Sequence, residues 1–298
     1  MNETRKGELF SLAGVVMWSF FPVITTLSYS NVPALISLAW SSLFASIFFG
    51  CVVAYKNLWH ELTRPLFWKY IAGVTFFTGI LVYGLYYTGL EYTTPGDASI
   101  IMIFEVVATY LLFNVFRREE FSREHTLGAM LISVGALIVL GKNFTGISGG
   151  DFFVLAAACA APMGNLFQRK ARAIASSETI MFVRSLIAAA VIFVLAYALG
   201  KHSSWGSVHA SLIFLLVNGV LLLGLSKIFF IEAIHRIPVT KAIAFGSASP
   251  VLTLLIAWAL LGQRPDLWQL VSLVPVIGGV LLLTNYVSLG TFSNAWRK

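Results

Sequence analysis

Two oppositely charged side chains, Glu105 and Lys227, lie well inside long apolar runs. A charged group in the hydrocarbon layer is costly unless it is paired or hydrated, so both should face protein or a water-filled cavity. Glu105 is interpreted as binding a substrate ammonium group or carrying a coupling proton, with a structural ion pair as the alternative. Lys227 is interpreted as binding a carboxylate; alternatively, its ammonium reaches the cytoplasmic headgroups near an i,i+4 pair of Glu232 and Arg236.

Uncharged side chains in neighbouring runs could complete a binding site. An aromatic wall that holds a cation or a ring could be formed by Trp18, Trp40, Tyr83, Tyr86 and Tyr87, although aromatic side chains also serve simple packing. Trp18 and Tyr83 are the residues of this group that we expect to bind the substrate. Asn165 and Gln168 need hydrogen-bond partners in lipid and should contact either a substrate or another helix. Arg184 lies close to the start of its run and is expected to reach the cytoplasmic surface.

Four prolines interrupt the apolar runs, and each removes a helical hydrogen bond: Pro22, Pro162, Pro250 and Pro275. Pro22 and Pro162 have similar depths in the first helix of each half, which predicts a pair of gate hinges. Pro250 is a third gating candidate. The alternative for each is a passive packing kink.

The sequence contains no pattern that indicates catalysis, so an enzyme is not expected. The five histidines lack metal-ligand spacing, and no Gly-Lys-Ser/Thr loop is present to bind ATP. Cys51 and Cys159 lie in apolar runs and are interpreted as small hydrophobic residues. We therefore expect no cofactor and no metal.

The composition requires a lipid environment. The 298 residues are 58% hydrophobic and 11% charged, with a mean hydropathy of +0.84, which is too much apolar surface for a water-soluble globule to bury. Apolar runs fall at 8–29, 33–55, 66–89, 96–116, 124–141, 150–168, 178–199, 208–234, 238–261 and 267–288. Their lengths are close to the roughly 20 residues that span a bilayer as a helix. The predicted fold is an all-α integral membrane protein with ten transmembrane helices.

The basic residues predict the orientation of these helices. With ten spans and a cytoplasmic N-terminus, fifteen of the 20 Lys and Arg residues fall on the cytoplasmic side and only Lys142, Lys201 and Arg264 fall on the other. This asymmetry follows the positive-inside rule and places both termini in the cytoplasm. It also accounts for the net charge of +7 without a nucleic-acid partner.

The chain is similar to itself at a shift of 144 residues. Gly135-Ala136-Leu137 then meets Gly279-Val280-Leu281, Tyr83 meets Lys227, and Glu105 meets Ser249. The predicted repeats are residues 1–144 and 145–298, each with five helices. Because five is odd, the second repeat should enter the membrane in the opposite orientation, as in carriers that expose one midplane site to either side in turn.

Several short motifs recur in a known transporter family. They are Trp18-Ser19, which is similar to the family's Trp-Gly, together with Arg184 and the segments 248–252 (Ala-Ser-Pro-Val-Leu), 260–263 (Leu-Leu-Gly-Gln) and 278–282 (Gly-Gly-Val-Leu-Leu). The whole chain thereby resembles the EamA-type branch of the drug/metabolite transporter (DMT) superfamily. It departs from the pattern at Trp40, Val106 and Gln263, where Arg, Pro and Glu are usual. The resemblance implies a ten-helix bundle with a central cavity lined by helices 1, 3, 4, 6, 8 and 9, and export of amino acids or related metabolites.

The leading hypothesis is a secondary transporter, an exporter of a small zwitterionic or amphipathic metabolite by alternating access. A membrane channel and a non-transporting membrane scaffold are the alternatives. The expected partners are a small-molecule substrate, the lipid bilayer and a coupling proton. The expected location is a cell membrane of the bacterial inner-membrane type.

Overall fold

The computed structural model describes residues 3–117, 123–141, 148–238, 241–242 and 245–283, and within these ranges the protein is helical, with no β-strand. The apolar helices are labelled in chain order: α1 (Glu3–Trp18, resuming as Phe21–Ser28), α2 (Ala34–Tyr55), α3 (Pro65–Leu90), α4 (Pro95–Met102 and Phe104–Arg117), α5 (Arg123–Gly141), α6 (Gly149–Arg172), α7 (Ser177–Ala198), α8 (Leu212–Arg236), α9 (Ser249–Leu261) and α10 (Leu267–Leu283).

Most of these helices could cross a membrane. By length and composition, seven of the described helices are long and apolar enough: α1 to α4 and α6 to α8. Shorter apolar helices lie at Thr126–Leu140, Ser249–Leu261 and Leu267–Leu282. Large apolar side chains remain on the outside of the bundle, such as Val194 (71% exposed) and Val274 (74% exposed), as a lipid-facing surface requires.

Four of the irregular helices correspond in pairs between the two halves. Residues Thr75–Val82 of α3 and Val217–Leu225 of α8 are π-helical. In the second half, a 3₁₀ turn, Gly246–Ala248, interrupts the apolar run 238–261: residues 241–242 and 245 before it are helical, and α9 follows it from Ser249. In the first half, α4 is interrupted at Ile103, which a shift of 144 residues places on residue 247 within that turn. The two halves therefore share their irregular turns as well as their apolar pattern.

Helix packing also follows the repeat. The most extensive helix contacts include α2 against α7 and α5 against α10, pairs in which the helices correspond to each other. The contacts of α1 with α8 correspond to those of α6 with α3. Small residues permit close approach: a Cβ at Gly164 would overlap the Thr78 hydroxyl, and one at Gly219 would overlap the Ser41 carbonyl oxygen.

Ion pairs join several helices at one end of the bundle. Glu232 near the end of α8 pairs with Arg172 at 2.6 Å and also with Arg236, and Arg236 pairs with Glu3 of α1 at 3.1 Å. The Glu232–Arg236 pair predicted from the i,i+4 spacing is thus present. The network ties the start of α1 to the ends of α6 and α8.

The loop between α2 and α3 is anchored at the same end by Glu61. Its carboxylate, 8% exposed, accepts hydrogen bonds from the Ser176 backbone N–H (3.0 Å) and the Ser176 hydroxyl (2.7 Å) at the start of α7. Burial by itself would raise the pKa of Glu61, but hydrogen bonds from Thr179 and Ser176 outweigh it and hold the pKa below its usual value. Lys56 pairs with Glu178 nearby at 2.6 Å.

Candidate functional site

A central cavity lies between α1, α3, α4, α6, α8 and the start of α9, the six helices that the resemblance implied. The centre of a water-sized sphere can occupy a volume of about 130 Å³ inside it. This is roughly ten times the volume that a single water molecule requires by the same measure. Glu105, Lys227, Trp18, Tyr83, Asn165, Gln168 and Pro22 all line it. The cavity is therefore formed by both halves of the chain and holds all six residues predicted to bind a substrate.

Glu105 enters the cavity just after the interruption of α4 at Ile103. Its Oε1 atom accepts a hydrogen bond from the Asn165 side-chain amide of α6 at 2.5 Å. Asn165 thus orients a carboxylate of the first half from a helix of the second. Gln168, one turn further along α6, donates instead to the Thr78 hydroxyl of α3 at 3.0 Å.

Lys227 follows the π-helical segment of α8 and points into the cavity. Its ammonium nitrogen lies 3.6 Å from the centre of the Trp18 ring, 5.4 Å from that of Phe230 and 5.8 Å from that of Tyr83. These distances are typical of cation–π contacts, so aromatic faces stabilise the charge inside the bundle. In the structure, then, the ammonium lies in this cavity.

Glu105 and Lys227 share the cavity without forming a direct ion pair. Lys227 is near enough for its charge to act on the Glu105 carboxylate. Among the ion pairs of the described residues, however, none joins the two within 4.0 Å. The cavity therefore presents one acidic and one basic group that are not neutralised by direct contact.

The aromatic wall extends beyond the residues predicted for it. The Trp18 ring stacks on Phe21 at 4.1 Å between centroids, and it lies 6.3 Å from Tyr83. Phe21 in turn stacks on Tyr86, which also lines the cavity. Phe21 and Phe230 were missed because 14% of the chain is aromatic, so a single Phe is not distinctive in the sequence.

The gating prolines occupy different kinds of position. Pro22 lies at the start of the second part of α1 and Pro250 at the start of α9, where a missing N–H costs little, whereas Pro162 lies inside the continuous helix α6. Pro22 lines the cavity, while Pro162 and Pro250 do not line it, although Ala161 and Ser249 beside them do.

The breaks before Pro22 and Pro250 meet. The Ser19 hydroxyl donates to the Ser249 hydroxyl at 3.1 Å, and the Thr253 hydroxyl donates to the Ser19 carbonyl at 2.9 Å. The helix breaks that touch are thus those of α1 and α9. The two prolines that were expected to act as a pair of hinges therefore differ in position: Pro22 follows a helix break, whereas Pro162 lies within a continuous helix.

The expectation that Arg184 reaches the cytoplasmic surface is wrong. Only 3% of this residue is exposed, and its guanidinium lies 5.5 Å from the centre of the Tyr83 ring, behind the cavity wall. Its depth was misjudged because counting residues from the start of a helix locates the backbone and not the end of a long side chain.

The described residues contain no group of three or more His, Cys, Asp or Glu that could hold a metal ion. What the cavity can do chemically is bind: it offers an oriented carboxylate, an ammonium group and aromatic faces. A molecule with separate positive and negative ends would match these groups.

Comparisons with known proteins agree with this architecture. The model of the EamA-like transporter family matches residues 5–141 and 148–285. Among curated relatives, "Uncharacterized transporter YyaM" of Bacillus subtilis (strain 168) is 24% identical over 223 residues, covering 70% of each chain. "Uncharacterized transporter YdfC" of the same organism is 26% identical over 213 residues, covering 69% of each. One solved structure, described as "Crystal structure of protein", has a TM-score of 0.71 at 18% identity and covers 94% of this chain and 96% of its own, which shows a shared fold.

Proposed function

The chain belongs to the EamA-like transporter family, and we propose that it is a secondary transporter that exports a small zwitterionic metabolite, such as an amino acid, by alternating access. The membrane-transporter assignment rests on the family and on the transporter names of its relatives. The substrate class and the direction are the proposal. Export is the direction that the family resemblance implies.

The observation that carries the substrate class is the presence of Glu105 and Lys227 in one cavity without a direct ion pair. A zwitterion that leaves water loses the hydration of both of its charges, at an idealised cost of order 20 kcal/mol each that remains several kcal/mol after relaxation. One fixed charge of each sign offsets both losses. We propose that Glu105, held by Asn165, binds the substrate ammonium and that Lys227 binds the carboxylate.

The aromatic wall would bind the rest of the substrate. Trp18 and Tyr83 contact the Lys227 ammonium and also line the cavity, so their rings lie beside the space that a substrate would occupy. Glu105 would also carry the coupling proton, because a proton and an ammonium group compete for the same carboxylate. Binding of one would then release the other, which couples their movements.

The repeated architecture supports alternating access. We propose that the three shorter apolar helices also cross the membrane, which gives ten spans, and that residues 1–144 and 145–298 form inverted repeats in a bacterial inner membrane with both termini in the cytoplasm. In this orientation the ion-pair network around Glu232 closes the cytoplasmic end. The contacting breaks at Ser19 and Ser249 would supply the hinge.

A counterflow assay tests the proposal. Purified protein in liposomes is preloaded with an unlabelled amino-acid mixture, and uptake of each labelled amino acid from outside is followed. Saturable accumulation that depends on preloading is expected of a carrier. An ohmic current in planar bilayers would instead indicate a channel, and the absence of any flux would indicate a scaffold.

Charge variants of exposed loops serve as matched controls for this assay. Glu91→Gln and Lys201→Met remove one charge of each sign outside the membrane and should leave counterflow unchanged. A loss confined to Glu105→Gln or Lys227→Met can then be assigned to the cavity.

A further inference from the structure

Arg184 is a buried cation that the proposed substrate site does not use. It lies in α7 with 3% of its surface exposed. Its Nη2 atom donates one long hydrogen bond, 3.4 Å, to the Leu223 carbonyl in the π-helical segment of α8. The guanidinium carbon also lies 5.5 Å from the centre of the Tyr83 ring.

Hydrogen-bond donors around this guanidinium are left without partners. Within the described ranges of the chain, Arg184 Nε, Arg184 Nη1 and the Tyr83 hydroxyl are all buried and make no hydrogen bond. The Tyr83 hydroxyl lies near the guanidinium but not in hydrogen-bonding geometry. Ion pairs among the described residues include none with Arg184.

An arrangement of this kind favours a negative partner. Arginine keeps its proton in proteins, so Arg184 cannot become neutral to relieve its burial. An uncompensated charge away from water is strongly unfavourable, and unsatisfied donors add to the cost. A guanidinium presents paired N–H groups that match a small anion, above all a carboxylate.

The Arg184 guanidinium lies next to the cavity wall. Tyr83 lines the cavity, and its ring lies within 6 Å of both cations: 5.5 Å from the Arg184 guanidinium carbon and 5.8 Å from the Lys227 nitrogen. The Arg184 side chain passes Gly79 of α3, where an added Cβ would lie 3.3 Å from Arg184 Cγ. A glycine at this point lets the stem of Arg184 pass close to the π-helical segment.

We propose that Arg184 and Tyr83 form an anion-binding subsite behind the cavity wall, which takes a small, singly charged anion. This chemistry is shared by a free ion such as chloride or formate and by a carboxylate of the transported molecule. The subsite adjoins the Glu105–Lys227 site and shares Tyr83 with it, but its occupation does not require that the protein transports anything.

Thermal unfolding of the purified protein in detergent tests binding directly. Chloride or formate replaces gluconate, a much larger anion, at constant ionic strength. A ligand that binds only the folded state stabilises it, so Tm should rise with saturation, by about 3 °C at ten times the dissociation constant. A Tm that is equal in chloride, formate and gluconate overturns the proposal.

Variants assign any such shift to a residue. Arg184→Gln should abolish the anion-dependent rise, whereas the exposed Arg264→Gln should keep it. If the rise survives in Arg184→Gln, or disappears in Lys227→Met instead, the anion is bound elsewhere and the proposal is wrong.

Tyr83→Phe keeps the test decisive if Arg184→Gln does not fold. Since the Tyr83 hydroxyl has no partner, its removal should leave Tm in gluconate unchanged but raise the half-saturating concentration of chloride about tenfold, the effect of losing one hydrogen bond to an anion. An unchanged half-saturation in Tyr83→Phe contradicts its place in the subsite.

Competition between ligands distinguishes the two sources of the anion. The chloride titration is repeated in a saturating amino-acid mixture. An increase in the half-saturating chloride concentration means that a substrate carboxylate occupies the subsite. Additive stabilisation means that the subsite holds a free anion beside the bound substrate.

Discussion

The Lys227 ammonium nitrogen lies 3.6 Å from the centre of the Trp18 ring, a contact that joins α8 of the second half to α1 of the first. A cation over an indole face is stabilised by about 2 kcal/mol when water is excluded. The ring thus keeps a positive charge inside the bundle and fixes where a substrate carboxylate would bind.

Loss of this face should weaken substrate binding. Trp18→Leu is expected to raise the KM for transport at least tenfold, because about 1.4 kcal/mol corresponds to a factor of ten. Trp18→Phe keeps an aromatic face and should change KM only a few-fold. Initial rates of counterflow measure both, and equal KM values for the Leu and Phe variants would argue against a role for the ring.

Glu105→Gln should reduce transport about 100-fold or more, since a substrate ammonium would lose its buried counter-charge. The variant should still fold, because the glutamine side-chain oxygen can accept the hydrogen bond that Asn165 now donates to Glu105. Counterflow and the elution profile in size-exclusion chromatography are the two measurements. Full transport by a well-folded Glu105→Gln protein would remove Glu105 from the mechanism.

A double-mutant cycle separates substrate binding from structural pairing of Glu105 with Lys227. Because no ion pair joins them within 4.0 Å, Tm changes of Glu105→Gln and Lys227→Met should add to within about 3 °C, or roughly 1 kcal/mol. A structural pair behaves differently: each single change leaves a buried charge, and the double change restores stability. Such a recovery in the double variant would favour pairing.

The apolar runs predicted an all-helical membrane protein, because hydrocarbon thickness sets the length of a spanning helix, and seven of the described helices are long enough to span. The charges predicted which positions avoid lipid, since Glu105 and Lys227 had to face an interior. The same argument could not show that Asn165 meets Glu105, because the register between α6 and α4 depends on packing across the two halves.

The irregular turns were also beyond prediction from composition. Thr75–Val82 and Val217–Leu225 contain ordinary helix-compatible residues, and a π-helix differs from an α-helix by one residue per turn and not by residue type. Yet Tyr83 directly follows the first of these segments, and Lys227 lies two residues after the second. The cavity residues are therefore aimed by turns that the apolar pattern does not reveal.

The predicted topology can be tested with reporter fusions. A reporter after Lys298 or within 117–123 should be cytoplasmic, and one within 201–207 should be external, because basic residues collect on the cytoplasmic side. Residues 118–122 and 298 lie outside the part of the chain that the structure describes. Labelling of all three positions on the same side of the membrane would exclude the inverted repeat.

Glu61 should make stability depend on pH in a defined direction. Its folded-state pKa lies below the usual value, since hydrogen bonds from Ser176 and Thr179 outweigh burial. The stabilisation is thus fully present above the unfolded-state pKa of about 4.3 and is lost as the pH falls through the folded-state pKa. Glu61→Gln should cost about 1.5–3 kcal/mol at pH 7, the value of a hydrogen bond to a charged group.

The difference in Tm between the wild type and Glu61→Gln isolates this effect from the other carboxylates. This Tm difference should stay constant from pH 8 to about pH 5 and shrink below about pH 4. Protonation removes the negative charge of Glu61, to which both Ser176 donors form hydrogen bonds. Glu91→Gln, in an exposed loop, should show no such trend. A wild-type advantage that persists undiminished at pH 3 would mean that the Glu61 charge does not anchor α7.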